Sequence, residues 1–357
     1  MTFSVFPSCQ RRLASISLSL WNHREWLQRW TPALTFGRLR PAGVTGLLCT
    51  LLLVSCGGGA SDDVATLHVG SQRGGTKAVM LASGVLEGAP YTIEWSEFPA
   101  AQHLLEAIGG GAVDLGLVGD APFMFAYQSG SRIKAVGAQF EGARPEGALA
   151  LIVPKGSPAR SLADLKGKKV ATTRGSVGHY LVIRALAQAK LPPDWVQLTF
   201  LPPGDAKAAF ESGSIDGWAI WTPYLPAAFK AGARTLVDGQ ALVKGYGFEV
   251  ANEDAIAGKR ALIADFLKRE ANALEWSDRN VGAYAKVLAK ETGLPAEIAY
   301  DYADKNRRVA VPMSDTVVSD QQQVLNDFKA AGAVEGKRDL AAAFDRSFSK
   351  TEVAAAQ

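Results

Sequence analysis

Cysteine is scarce and confined to one end. The 357 residues hold three, Cys9, Cys49 and Cys56. The chain after position 56 can therefore form no internal disulfide. Histidine is nearly as rare, with only His68, His103 and His179 beyond that point. No G-x-S-x-G, GxxxxGK[ST], HExxH or metal-spaced Cys/His cluster occurs. No catalytic residue, metal ligand or cofactor is therefore assigned, and the chain is not expected to be an enzyme. A strong charge of either sign is also missing. Residues 1–55 hold six Arg and one Glu; without them 32 bases face 34 acids, and the formal charge moves from +3 to −2. A basic nucleic-acid binder is not supported.

Long apolar runs are absent except one. Val44–Val54 is an eleven-residue uncharged run preceded by Arg38 and Arg40. It suits the core of a signal peptide and is too short to span a membrane. It ends Leu53-Val54-Ser55-Cys56, which looks like a bacterial lipobox with Cys56 as the lipidated residue. Residues 1–55 read as a leader, with 1–37 upstream of the true start, and 56–64 as a flexible tether. A buried apolar helix with an ordinary cysteine is the plainer alternative, disfavoured by the basic flank and the cysteine's position.

What is present is a repeat. Ala107–Met124 and Ala209–Tyr224 each carry Gly-x-[Val/Ile]-Asp (Gly111–Asp114, Gly213–Asp216), a four-residue strand, and a proline opening a helix (Pro122, Pro223). Around them strands and helices alternate from Ala65 onward, which predicts doubly wound, mostly parallel sheets. We read α/β architecture in two lobes, 65–152 with 248–350 and 153–247. Crossings and hinges are expected at Leu149–Pro154 and Phe248–Ala251. Everything after Asn252 reads as helical.

Ligands of open parallel sheets sit beyond the carboxyl ends of strands, where helices begin. Four turns there carry suggestive residues. Gln72-Arg73-Gly74 offers an amide, a bidentate cation and close backbone approach. Asp120-Ala121 and Ser176-Val177-Gly178-His179 open helices, where N–H donors and the helix dipole hold anions. Asp120 and Ser176 are also natural N-caps, and the Asp120 carboxylate could occupy the same N–H groups. His179 is expected as a hydrogen-bond donor rather than a base. Trp218 and Trp221 fall on opposite strand faces, so one should face the cleft, and Trp218 is favoured. Thr222-Pro223 reads as N-cap and first helical residue.

Several blocks in order, VGSQRGG, EWSEFPAAQHLLEAIGGGAVDLGLVGDAP, LIVPKGSPARSLADLKGKKVATTRGSVGHYLV, LTFLPPGDAKAAFESGSIDGWAIWTPY and ARTLVDG, resemble the aliphatic sulfonate-binding proteins of ABC importers. The resemblance is dense over Leu67–Ala251. It implies a two-lobed type II periplasmic binding protein fold close to the taurine- and nitrate-binding branches. It also implies ligand contacts at Gln72, Arg73, Gly74, Asp120, Ala121, Ser176, Val177, Gly178, His179 and Trp218. The implied ligand is a small organosulfonate, and the implied partner is an ABC permease. The place is the periplasm, with membrane attachment through the lipid at Cys56, and the expected state is monomeric. Ala101-Gln102 stands where the family usually has Gly-Pro, Thr222 where it has Asp, and Arg73 where Lys is frequent. Other readings are a receptor for nitrate or a sulfate ester, a sensory receptor, or a fold-related pyrimidine synthase of thiamine biosynthesis. The last of these uses clustered histidines, which this chain lacks.

Overall fold

The computed structural model describes residues 65–72, 75–141 and 146–349. Cys56, Arg73 and Gly74 lie outside them, as do the leader and tether.

The first half of the chain follows the strand–helix alternation. It runs β1 (Thr66–Gln72), α1 (Thr76–Ser83), β2 (Thr92–Phe98), α2 (Ala101–Gly109), β3 (Leu115–Gly119), α3 (Asp120–Gln128) and β4 (Ile133–Phe140). Next come β5 (Leu149–Val153), β6 (Lys169–Thr172), α4 (Val177–Gln188), β7 (Gln197–Phe200), α5 (Pro203–Glu211), β8 (Gly217–Trp221), α6 (Tyr224–Lys230) and β9 (Arg234–Asp238). The chain ends with β10 (Tyr246–Asn252), α7 (Glu253–Gly258), α8 (Arg260–Arg279), α9 (Val281–Thr292), α10 (Ala296–Lys305), β11 (Val309–Val311) and α11 (Asp315–Ala330).

Two sheets result, ordered β11-β4-β10-β3-β1-β2 and β7-β6-β8-β5-β9. Both contain the same arrangement. Three parallel strands (β2-β1-β3; β7-β6-β8) are followed by one antiparallel strand, β10 or β5, and then by β4 or β9. The sheets are thus mixed, because the strand entering each from the other half runs against its neighbours. This corrects the expected boundary. Leu149–Val153 pairs with β8 and β9, so the chain changes sheet before Leu149. All five of its residues are buried. β10 is likewise buried throughout, and both strands are paired on each side. The C-terminal region is helical except for β11, which adds an edge to the first sheet.

The glycine-aspartate repeat has a structural explanation. Gly111 and Gly213 take left-handed φ values of +76° and +73° just after α2 and α5, ending both helices. Asp114 N–H donates to the His68 carbonyl while its carboxylate accepts from the His68 N–H, at 2.8 and 2.7 Å. Asp216 does the same with Lys169 at 2.8 and 2.9 Å. Each Asp therefore pins the start of β3 or β8 to β1 or β6.

The two halves meet through α11. Its Phe328 packs edge-on to Phe125 of α3 and stacks on Tyr180 of α4, with centroids 5.9 and 5.6 Å apart. Its Asp327 accepts from Tyr180 Oη at 2.8 Å and pairs with Arg184.

Candidate ligand cleft

Strands β1, β3 and β8 end at one cavity of about 120 Å³, which helices α1, α3 and α4 enter at their N-terminal ends. Its wall draws on both sheets. Gln72, Thr76 and Gly119 come from the first, Ser176, Val177, Trp221 and Tyr224 from the second, and Tyr302, Asn306 and Arg308 from the C-terminal region. The volume is that of several water-sized positions.

Hydrogen bonds cross between the two halves beside it. Tyr224 Oη donates to the Pro99 carbonyl at 2.9 Å, and Gln102 Nε2 donates to the Arg174 carbonyl at 3.2 Å. The Gln102 bond requires an amide donor, which the family's usual proline does not have. Thr222 Oγ1 also reaches Asn306 Oδ1 at 3.5 Å.

The expected site residues separate into two groups. Gln72, Ser176 and Val177 line the cavity. The Gln72 amide is held by donating to the Leu117 carbonyl at 2.7 Å, which spans from β1 to β3. Ser176 caps α4, its hydroxyl accepting from the His179 N–H at 3.2 Å and lying 3.3 Å from Thr172 Oγ1. The remaining described residues stand behind the wall.

Asp120 is not the N-cap; Gly119 is, and Asp120 begins α3 with its carboxylate accepting from the Ala121 N–H at 2.7 Å. Asp120 and Ala121 are buried, and the cavity is bounded instead by Gly119 and Pro122. Gly178 permits close packing of α4 on β8, since an added Cβ would lie 2.6 Å from the Ala219 carbonyl oxygen.

His179 is buried behind the wall and accepts at one ring nitrogen. Its Nδ1 receives the Gly175 N–H at 3.2 Å, and its ring sits edge-on to Phe200 and Phe328. Burial, helped by the Arg174 charge, lowers its pKa to about 4, so the imidazole is neutral at pH 7.

The indoles exchange places. Trp218 is 2% exposed and packs against Phe210 and Leu225 in the core of the second half. Trp221 lines the cavity, edge-on to Tyr224. Alternation required opposite faces, and the chain placed the larger apolar environment under Trp218, between β8 and α5. Thr222 likewise does not cap α6, which begins at Tyr224 after a cis Thr222–Pro223 peptide.

The sequence pattern passed over the C-terminal part of the wall. Tyr246 presents its ring, because its hydroxyl donates to Asp320 at 3.0 Å. Burial and that bond raise its pKa to about 12, so it stays neutral. Among the described residues Arg308 is the one charged side chain lining the cavity. It pairs with Glu141, whose side chain is 1% exposed. The signal available was Gly245-Tyr-Gly247, two glycines flanking an aromatic at a strand start.

Comparison with known proteins shows what the chain is similar to. Residues 91–217 match the model of a family described as ABC transporter, phosphonate, periplasmic substrate-binding protein. A putative aliphatic sulfonates-binding protein of Escherichia coli K12 is 38% identical over 79% of this chain and 89% of its own. The alkanesulfonate-binding protein SsuA of Xanthomonas axonopodis pv. citri, solved bound to MOPS, is 31% identical with a TM-score of 0.72 over 78% of this chain and 98% of its own. The Escherichia coli periplasmic aliphatic sulphonate binding protein SsuA is 35% identical with a TM-score of 0.65 over 78% and 91%. With that identity sustained along nearly the whole relative, the chain belongs to the family of aliphatic sulfonates-binding proteins of ABC importers.

Proposed function

We propose that this protein captures aliphatic sulfonates, alkanesulfonate- or taurine-like, in the cleft and hands them to an ABC permease, with no chemistry on the ligand. The observation that carries this is the cavity wall. It combines hydroxyl and amide groups with an indole and a single charged side chain among the described residues. A sulfonate has three weakly basic oxygens and an apolar tail, so it needs several donors and a dry wall rather than a dense cluster of cations. Gln72, Arg73, Gly74, Ser176 and Val177 contact the ligand in this reading, joined by Trp221. Asp120, Ala121, Gly178, His179 and Trp218 hold that wall in place. The protein works in the periplasm as a monomer tethered by lipid at Cys56.

Calorimetric titration with alkanesulfonates of increasing length, taurine, nitrate and sulfate tests it. Saturable binding of a sulfonate with weaker nitrate binding is expected; flat traces for every sulfonate would remove the assignment. Palmitate labelling of the Cys56→Ala variant in cells tests the tether. Label retained on the variant would exclude it.

A further inference from the structure

The lone described cation of the cavity sits in a prepared slot. Arg308 immediately precedes β11, whose Val309 pairs with Phe140 at the end of β4. Its guanidinium therefore meets Glu141, the next residue of that neighbouring strand, and the two form an ion pair. Two glycines make the space. A Cβ at Gly247 would lie 2.5 Å from Arg308 Nη1, and one at Gly245 would lie 2.8 Å from Glu141 Oε2. Gly247 is also paired with Gly119, the residue that opens α3. The guanidinium thus lies one strand from the helix start at which the cavity begins. Guanidinium carries five N–H donors, and the bond to Glu141 uses only part of them.

We infer that Arg308 anchors the anionic head of the ligand. Glu141 positions it and offsets its charge, so the site prefers a monoanion to a dianion of the same shape. This rests on the sulfonate-receptor reading and adds the residue that makes the choice. Because the two charges of the pair offset each other, a dianion leaves one more uncompensated charge there than a sulfonate does, and uncompensated charge is costly in a partly buried site. Removing Glu141's charge would leave Arg308 at full strength, an added attraction twice as large for a dianion as for a sulfonate, and would narrow that preference.

Methanesulfonate and sulfate share the tetrahedral SO₃ face and differ in charge, so the test compares their affinities for the full chain by calorimetry. Arg308→Gln alone removes the cation paired with a buried carboxylate, so the double variant Arg308→Gln/Glu141→Gln, which removes both charges of the pair, serves as the folded control, checked by its melting temperature. The double variant is expected to bind methanesulfonate about 10- to 100-fold more weakly than wild type. Glu141→Gln is expected to shift the methanesulfonate-to-sulfate preference at least about tenfold toward sulfate. Methanesulfonate affinity within twofold of wild type in the double variant would overturn the anchor. An unchanged preference in Glu141→Gln would overturn the charge offset. A wild-type chain that binds no alkanesulfonate of any length would instead refute the receptor reading, and this proposal with it.

Discussion

The two Gly-x-[Val/Ile]-Asp turns perform one structural task and then diverge. Both end a helix with a left-handed glycine and pin a strand with an aspartate. Beyond the strand the copies part. After β3 the chain enters α3 directly, and its acidic first residue accepts from the Ala121 N–H. After β8 it delivers Trp221 to the cavity, then passes Thr222 and Pro223 before α6 starts. The shared half of the repeat builds the sheets, and the unshared half builds the wall. A repeat in sequence is thus evidence about scaffold, while ligand chemistry sits where the copies disagree.

The sharpest way to break that division is at the two indoles. Trp218→Ala empties a buried site and should cost about 3–5 kcal/mol of stability. In the molecules that remain folded, ligand affinity should be unchanged. Trp221→Ala should do the reverse, weakening sulfonate binding while lowering stability by less. Chemical denaturation with calorimetry on both variants reads this, and a ligand effect at Trp218 as large as that at Trp221 would dissolve the distinction.

The two aspartates should differ in size rather than kind. Asp114 also holds Lys259 at 2.7 Å in a mostly buried pair, with side-chain exposures of 31% for Lys259 and 11% for Asp114. Asp216 meets Lys168 at 3.6 Å with both side chains largely exposed. Asp114→Ala should therefore cost about 2–3 kcal/mol, as loss of charge-assisted bonds does when partners are buried. Asp216→Ala should cost about 1 kcal/mol, since a surface pair adds little. Equal losses in urea denaturation would mean that burial does not separate the copies.

His179 belongs to the second copy's side and makes its stability depend on acid. Its folded pKa, about 4, lies below the ordinary histidine value near 6.5. The unfolded chain therefore binds the proton first, and stability present above pH ~6.5 is lost as pH falls toward 4. The full loss amounts to roughly 3 kcal/mol. Thermal melting from pH 7 to 4 should fall more steeply for wild type than for His179→Asn, and parallel slopes would show that the imidazole is not the responsible group.

Local patterns made much of this legible. The strand–helix order, the paired turns and the Ser176 cap each depend on residues a few positions apart, and those interactions survive in the fold. What sequence pattern hid depends on distant pairing. Period two stated that Trp218 and Trp221 face opposite ways but not which side the cavity lies on. The sheet that receives Leu149–Val153 is decided by β8 and β9, more than sixty residues onward. Arg308 was invisible because its value comes from Glu141, Gly245 and Gly247 gathering around it, in a region whose period spoke only of helices.

The smallest expected effect is also the strictest test of equivalence. Gly111 and Gly213 both have open space where a Cβ would go, so alanine there meets no neighbour and only the backbone conformation resists it. The left-handed region costs an L-residue about 1–2 kcal/mol, and glycine escapes that cost. Gly111→Ala and Gly213→Ala should consequently lose the same stability, within a few tenths of a kcal/mol, despite lying in different sheets. Neither should touch ligand affinity, because the strand that follows is pinned by its aspartate before it reaches the cleft. A large difference between the two would mean that the sheets respond differently to the same local strain, and the comparison would then hold for geometry but fail for energy.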